Sequence, residues 1–135
     1  EGGRIITIET FDKFASIAQQ NVDNFNLSDC VEIKLGDAKD VLGELNLRGE
    51  KVDFAFIDGN KEDYLTYVKW FLDNLAETGF IIVDDIFFHG DALNENCNTK
   101  KGAGAKSVIE YVSNNDNLTH SFLPIANGLL LIKKQ

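Results

Sequence analysis

The feature that most constrains the fold is an alternation between short apolar runs and longer segments whose apolar residues recur at helical spacing. Residues 4–9, 31–35 and 52–57 are short runs rich in β-branched residues, which predict strands. Between them, residues 11–25 place apolar side chains on one face of a helix. Strands that alternate with helices along a chain predict a parallel sheet covered by helices.

The second half of the chain continues this alternation and then closes with two strands. We expect helices over 40–45, 62–77 and 105–112, strands over 80–83, 118–124 and 129–133, and a long polar loop over 89–104. Gly79 is expected to end the helix before it, and Asn127-Gly128 is a hairpin signal. The chain is therefore predicted to be one α/β domain over residues 1–135. The expected architecture is a Rossmann-like three-layer sandwich, mostly parallel, with a C-terminal antiparallel hairpin.

Composition narrows the class of protein. The 135-residue chain has a formal net charge of -9, which argues against binding to nucleic acid, because that needs a basic surface. Its two cysteines, Cys30 and Cys97, are too few for a disulfide framework and indicate free thiols in a reducing compartment. Neither a membrane-spanning run nor a signal-peptide pattern is evident, so a cytoplasmic enzyme without a membrane partner is expected.

Carboxylates follow four of the predicted parallel strands. Glu9 ends the first strand, Asp37 lies within Gly36-Asp37-Ala38 after the second, Asp58 follows the third, and Asp84 and Asp85 follow the fourth. Ligands of doubly wound folds bind beyond the carboxyl ends of the strands. These residues are therefore the candidates for binding and catalysis.

Each candidate also has a simpler interpretation. Glu9 could accept hydrogen bonds from the ribose hydroxyls of a nucleoside cofactor, or it could be a solvated strand end. Asp58, Asp84 and Asp85 would repel one another unless they held a hard cation such as Mg²⁺, although Asp85 could instead cap the next segment. Lys61, three residues after Asp58, could be a general base or a surface lysine, and its spacing alone favours the surface residue.

The aromatic pair Phe87-Phe88 directly follows the acidic pair. The two rings could form a wall for a flat substrate, or they could belong to the core.

Taken together, five motifs resemble the cation-dependent O-methyltransferases of the catechol and caffeoyl-CoA type, which are class I S-adenosylmethionine-dependent enzymes. The motifs are RIITIE, LGDA, FAFIDGNKEDY, GFIIVDDIFFHG and LPIANGLLLIKK. The most specific element is a strand that ends in Asp, with Lys three residues later and an acidic pair about 26 residues after the Asp.

The resemblance implies a set of roles. Glu9 would hold the ribose of S-adenosylmethionine, Asp37 and Ala38 would lie against its adenine, and Gly36 would also belong to the cofactor site. Asp58 would contribute to both the cofactor and the metal site, the latter with Asp84 and Asp85. The cation would bind neighbouring hydroxyls of a small aromatic substrate, and Lys61 would take the proton of the attacking hydroxyl. Relatives of this type are often homodimers.

The sequence also departs from the family pattern. The family has an earlier strand that ends in a Gly-rich loop, and Gly2-Gly3 does not match that loop, so the domain is expected to be incomplete at its N-terminus. Asp85 stands where the family usually has Asn, and Asn127 stands where it has an acid. The IDGN stretch resembles a related methyltransferase group that has His at the position of Lys61.

Three other functions are compatible with parts of the pattern. A nucleotide-dependent oxidoreductase would also use an acid at Glu9, but it would not need Asp58, Asp84 and Asp85 together. A phospho-acceptor receiver domain uses acids and a lysine around Mg²⁺, but in a different order along the chain. An incomplete or inactive methyltransferase fold could serve as a binding module.

Overall fold

A computed structural model describes residues 2–47, 49 and 51–135. Glu1, Arg48 and Glu50 fall within the predicted domain but lie outside the described residues. The chain forms two compact units, the first over residues 1–48 and the second over residues 49–135.

The first unit alternates two strands with two helices, as predicted. It contains β1 (Ile5–Glu9), α1 (Asp12–Asn24), β2 (Val31–Leu35) and α2 (Ala38–Leu47), and α2 is longer than the expected 40–45. The two strands pair in parallel, with Glu9 opposite Leu35. Both strands therefore end at the same edge of this small sheet, which brings the segments after them together.

The second unit is a four-stranded mixed sheet with two helices. Its elements in chain order are β3 (Val52–Ile57), a 3₁₀ turn (Lys61–Asp63), α3 (Tyr64–Asn74), β4 (Leu75–Val83), a second 3₁₀ segment (Phe88–Leu93), α4 (Lys100–Ser113), β5 (Leu118–Leu123) and β6 (Leu129–Lys134). The strand order is β3-β4-β6-β5. β3 and β4 are parallel, whereas β6 runs antiparallel to both β4 and β5, which confirms the closing hairpin.

The core of the second unit is formed by apolar side chains from α3, α4, the central strands and the turn after β4. The largest of the fully buried ones are Tyr64, Ile81, Ile86, Leu130, Ile132, Val68, Val83, Val108 and Val112. Burial of each aliphatic side chain of this kind stabilises the fold by about 1.5–3 kcal/mol relative to exposure. The core anchors the carboxyl ends of β3 and β4, where the candidate residues follow.

The predicted helix over 62–77 is wrong at its C-terminal end. α3 ends at Asn74, and Leu75 already has extended backbone angles and pairs with Val52 of β3. Gly79 does not cap a helix: a side chain there would approach Leu75 and the Val52 carbonyl oxygen to within 2.9 Å. The glycine therefore lets β4 run close beside β3, a tertiary requirement that helical periodicity does not show.

The predicted loop over 89–104 is also too long. The second 3₁₀ segment occupies its start, and α4 begins at Lys100 instead of residue 105. Thr99 caps α4, because its side chain accepts a hydrogen bond from the Gly102 amide. Gly102 and Gly104, which suggested a loop, lie in the helix where a side chain would collide with Asp91 and with the Lys61 carbonyl group.

Two further expectations concern the membrane and the thiols. Within the described part of the chain, no helix has the length and apolar character needed to cross a bilayer. Cys30 and Cys97 are both free and half-buried.

Candidate functional site

Asp58 and Asp84 follow neighbouring strands at matching positions. Ile57, the last residue of β3, pairs with Val83, the last residue of β4. The Asp84 amide donates to the Ile57 carbonyl oxygen at 2.9 Å, which extends the ladder by one residue. Asp58 and Asp84 therefore follow β3 and β4 at the same edge of the sheet.

The acidic pair occupies a sharp turn directly after β4. Asp85 has a φ of 56°, in the left-handed region that non-glycine residues adopt at a cost of about 1–2 kcal/mol. The Asp84 carboxylate accepts a hydrogen bond of 2.7 Å from the Asp85 amide. The Ile86 and Phe87 amides donate to the carbonyl oxygens of Gly128 and Asn127 at 3.0 and 2.8 Å. The turn between β5 and β6 thus holds the acidic turn in place.

Lys61 enters the site from the 3₁₀ turn before α3. Its Nζ lies 3.0 Å from Asp85 Oδ2 and 3.8 Å from Asp58 Oδ1. The Lys61 side chain is only 12% exposed, compared with 21% for Asp85 and 58% for Asp58. Asn60 caps the 3₁₀ turn through its side chain, and Gly104 of α4 packs against the Lys61 backbone. The lysine is therefore a fixed, half-buried member of the site and not a surface residue.

The charge state of Lys61 reflects two opposing effects. Burial lowers the pKa of Lys61, but hydrogen bonding and charge interactions with Asp85 and Tyr64 outweigh it, so the pKa lies above its ordinary value. In this arrangement Lys61 is a cation paired with Asp85.

Asp85 carries an oxygen whose hydrogen-bonding capacity is unused. Its Oδ1 is buried, and no described group lies within hydrogen-bonding distance of it. A buried acceptor without a partner costs about 1–3 kcal/mol. Oxygen donors of this kind suit Mg²⁺ or Ca²⁺, so the chemistry of the acids fits a hard cation. Asp85 does not cap the following segment.

The spacing of the acids is a separate matter from their chemistry. Among residues 2–47, 49 and 51–135, no three His, Cys, Asp or Glu side chains are grouped closely enough to hold a metal ion as they stand. The ammonium group of Lys61 contacts both Asp58 and Asp85. Metal binding by Asp58, Asp84 and Asp85 therefore stays a prediction.

Tyr64 was not among the candidate residues predicted from the sequence. Tyr64 is completely buried, and its hydroxyl donates to the Asp84 carbonyl oxygen at 2.9 Å. Burial raises the pKa of Tyr64 to about 12, so the hydroxyl stays protonated and remains a donor. The available signal was its position three residues after Lys61, at the start of a helix.

The candidate cofactor residues lie in the first unit and are described within it. The Gly36 amide donates to the Glu9 carbonyl oxygen at 3.0 Å, so the ends of β1 and β2 are joined. The Glu9 carboxylate accepts from the Phe11 amide at 2.9 Å and remains half-buried. The Asp37 carboxylate accepts from the Lys39 amide at 2.8 Å, and Ala38 begins α2. Glu9, Gly36, Asp37 and Ala38 therefore share one edge of the small sheet.

The two phenylalanines after the acidic pair differ in their surroundings. The Phe87 ring stacks on Phe122, with centroids 6.1 Å apart, and lies against Gly128, where a side chain would collide with it. Phe87 is thus a packing residue of the hairpin. Phe88 contacts His89 in a run of residues with positive φ.

A shallow depression of about 430 Å³ lies elsewhere in this unit. It is lined by Leu65, Ser107, Glu110, Tyr111, Asn114 and Asn115, none of which is a candidate residue. The candidate site is therefore a polar cluster at the ends of two strands, and its assignment does not rest on a cavity.

Comparison with known proteins places these observations in a family. A family model described as O-methyltransferase matches residues 1–135. The chain is 37% identical over 108 residues to a catechol O-methyltransferase of Niastella koreensis, covering 78% of this chain and 48% of that protein. It is 28% identical to a probable caffeoyl-CoA O-methyltransferase 2 of Dictyostelium discoideum, covering 98% of this chain and 58% of that protein.

A solved structure agrees with the observed fold. The O-methyltransferase from Bacillus cereus in complex with SAH matches with a TM-score of 0.92 and 27% identity, covering 100% of this chain and 64% of that one. The α/β fold with C-terminal antiparallel strands is thus that of methyltransferases that bind S-adenosyl compounds. The chain spans about half the length of the curated relatives that it matches.

Proposed function

Because the chain belongs to the O-methyltransferase family, we propose that it transfers a methyl group from S-adenosylmethionine to a hydroxyl of a small catechol-like substrate, with the help of Mg²⁺ or another divalent cation. The observation that carries the proposal is the cluster of Lys61, Asp58 and Asp85 at the ends of β3 and β4. The Bacillus cereus O-methyltransferase in complex with SAH supports S-adenosylmethionine as the cofactor. The similarity to a catechol O-methyltransferase of Niastella koreensis supports the substrate class.

In the proposed mechanism, the first unit binds the nucleoside part of the cofactor. The Glu9 carboxylate accepts hydrogen bonds from the two ribose hydroxyls, and the segment Gly36-Asp37-Ala38 lies beside the adenine. The polarity of these groups suits this role, because a carboxylate at the end of a parallel strand can accept from both hydroxyls. Asp58 also contributes to cofactor binding.

The second unit would carry the chemistry at the acceptor hydroxyl. Asp58, Asp84 and Asp85 would hold the cation, which when bound acidifies and orients a substrate hydroxyl. With Asp85 turned to the cation, Lys61 would lose its carboxylate partner and face a positive charge, which lowers the pKa of Lys61. Lys61 would then release its own proton to solvent, and the neutral amine would take the hydroxyl proton. The 3₁₀ turn and α4 fix the position of Lys61. The remaining contribution is orientation of the acceptor oxygen, which can supply much of the rate enhancement.

The first experiment is calorimetric titration of this chain with S-adenosylhomocysteine, with and without Mg²⁺. We expect binding of S-adenosylhomocysteine, and separate binding of Mg²⁺ that is lost in Asp58→Asn and retained in Asp116→Asn, which changes an exposed acid elsewhere. A folded chain that binds no S-adenosylhomocysteine would contradict methyl transfer by this chain alone and favour the binding-module alternative. Binding of S-adenosylhomocysteine without any binding of Mg²⁺ would remove the cation from the proposal and leave methyl transfer.

Family membership sets aside the oxidoreductase and receiver alternatives, since both would require a different family. A homodimer and a cytoplasmic location stay predictions. The predicted cytoplasmic location rests on the two free cysteines.

A further inference from the structure

Tyr64 connects the two halves of the candidate site. It is the first residue of α3, none of its surface is exposed, and its hydroxyl reaches across to the carbonyl oxygen of Asp84. On the other side, Lys61 Nζ lies 5.3 Å from the centroid of the Tyr64 ring, at cation–π distance. One buried side chain therefore contacts both the lysine and the acidic turn.

The Asp84 carbonyl group is a sensitive point in this turn. It precedes Asp85, whose left-handed φ of 56° sets the direction in which the next carboxylate projects. Rotation of the peptide between the two residues would change that direction. The hydrogen bond from Tyr64 restrains this peptide on the carbonyl side, and the Asp84 carboxylate restrains it on the amide side.

The other restraints on the turn begin one residue later. The amides of Ile86 and Phe87 bind the turn between β5 and β6, whereas Asp84 itself is tied to β3 through its amide. The peptide that joins Asp84 to Asp85 lies between these two anchors. The orientation of the Asp84–Asp85 peptide therefore depends on the hydrogen bond from Tyr64 more than the orientations of the neighbouring peptides do.

We propose that Tyr64 is a positioning residue whose hydroxyl fixes the Asp84–Asp85 peptide, so that the Asp85 carboxylate faces Lys61 and the cation. This inference rests on the proposed function. Tyr64 acts through Asp84 and Asp85 on one side and through its contact with Lys61 on the other. Its hydroxyl is retained as a neutral donor inside the core, where a phenylalanine would fill the same volume.

The test compares Tyr64→Phe with two control variants of the second unit. Val68→Ala removes apolar volume from the same helix at a fully buried position, and therefore controls for lost stability. Tyr111→Phe deletes the same hydroxyl atom from a ring that contacts Lys69. Amide hydrogen exchange is measured at Asp85 and Ile86 in the chain without added metal, and Mg²⁺ affinity is measured by titration of each variant.

We expect Tyr64→Phe to raise the exchange rate of the Asp85 and Ile86 amides by about tenfold, the effect of losing one buried hydrogen bond. The two controls should leave the ratio of these rates to those of other α3 and β4 amides unchanged. Mg²⁺ affinity should fall by about tenfold in Tyr64→Phe alone. Equal exchange ratios in all three variants would overturn the positioning role.

The outcomes separate this inference from the proposed function. If the unaltered chain binds no Mg²⁺, the cation assistance fails, and the exchange rates still decide whether Tyr64 holds the turn. If Tyr64→Phe does not fold, the hydroxyl proton of Tyr64 is observed directly by NMR in the unaltered chain. Slow exchange of that proton with water supports the inference, and exchange as fast as that of an exposed tyrosine overturns it.

Discussion

Lys61 is the residue on which the proposed chemistry depends most. A lysine that is 12% exposed and within 3.0 Å of one carboxylate has lost most of its freedom before any substrate arrives. The general-base role that we propose for Lys61 calls for a side chain held within reach of the proton that it takes. The pair with Asp85 also means that removing Lys61 leaves a partly buried acid without its counter-charge.

For Lys61→Met, we expect turnover to fall by about 100-fold or more, the usual contribution of a general base. Affinity for S-adenosylhomocysteine should stay nearly constant, because the candidate cofactor residues other than Asp58 lie in the first unit. Steady-state kinetics and calorimetry measure the two quantities. Lys69→Met, which removes a lysine that lies over Tyr111, is the control. A large loss of cofactor affinity in Lys61→Met would mean that Lys61 is not the base.

The sequence could indicate which residues are candidates for the site, but not how their backbone and side chains are arranged. Asp58 and the acidic pair stood out because acids at successive strand ends are an unusual pattern, whereas Lys61 gained its role only from the family resemblance. The left-handed backbone of Asp85 and the hydrogen bond from Tyr64 to Asp84 depend on contacts between residues 20 positions apart. No local pattern in the sequence encodes those contacts.

At the scale of elements, strands were easier to predict than helix ends. β2 and β3 agree with the predicted 31–35 and 52–57 because alternating β-branched residues define a strand locally. The end of α3 and the start of α4 were misplaced because Gly79, Gly102 and Gly104 serve close packing and not chain termination. Glycine has both uses, and only the tertiary structure distinguishes them.

The segment that leads into α4 is organised by Asp91. Its carboxylate accepts hydrogen bonds from the Asn98 amide at 2.7 Å and from the Thr99 hydroxyl at 2.7 Å. These hydrogen bonds lower the pKa of Asp91 to about 2, and the one from the Asn98 amide has the larger effect. Lys106 closes the same segment by donating to the carbonyl oxygens of Asn94 and Glu95.

We expect Asp91→Asn to be less stable than the unaltered chain near neutral pH and to approach it in acid. The pKa of Asp91 is depressed in the folded state, so its contribution is present above the ordinary value of 3.8 and is lost as pH falls through about 2. Thermal unfolding across this range measures the difference. Asp116→Asn changes an exposed acid and is the control. Its difference in stability from the unaltered chain should not decrease as pH falls. A stability gap for Asp91→Asn that stays constant through this window would contradict the assignment.

At the scale of the whole molecule, charge and apolar surface oppose each other. A net charge of -9 keeps copies of the chain apart by repulsion, more so at low salt. Yet one face of β3 and β4 exposes three phenyl rings, with Phe54 49%, Phe56 55% and Phe80 37% exposed. Phe54 and Phe56 alternate with the buried Ala55 and Ile57, so two of the three side chains on the outer face of β3 are aromatic.

This aromatic face should make the chain associate with itself once salt screens the charge. Among the described strands, β3 pairs only with β4, and Phe54 of β3 packs against Phe80 of β4 with ring centroids 5.0 Å apart. We expect sedimentation velocity to show concentration-dependent association that increases with salt, and the double variant Phe54→Ser/Phe56→Ser to abolish it. Leu93→Ser, at a residue 62% exposed outside this face, is the control and should leave association unchanged. Association that persists in the double variant would place the contact elsewhere, and a chain that stays monomeric at high salt would mean that these rings are covered in solution.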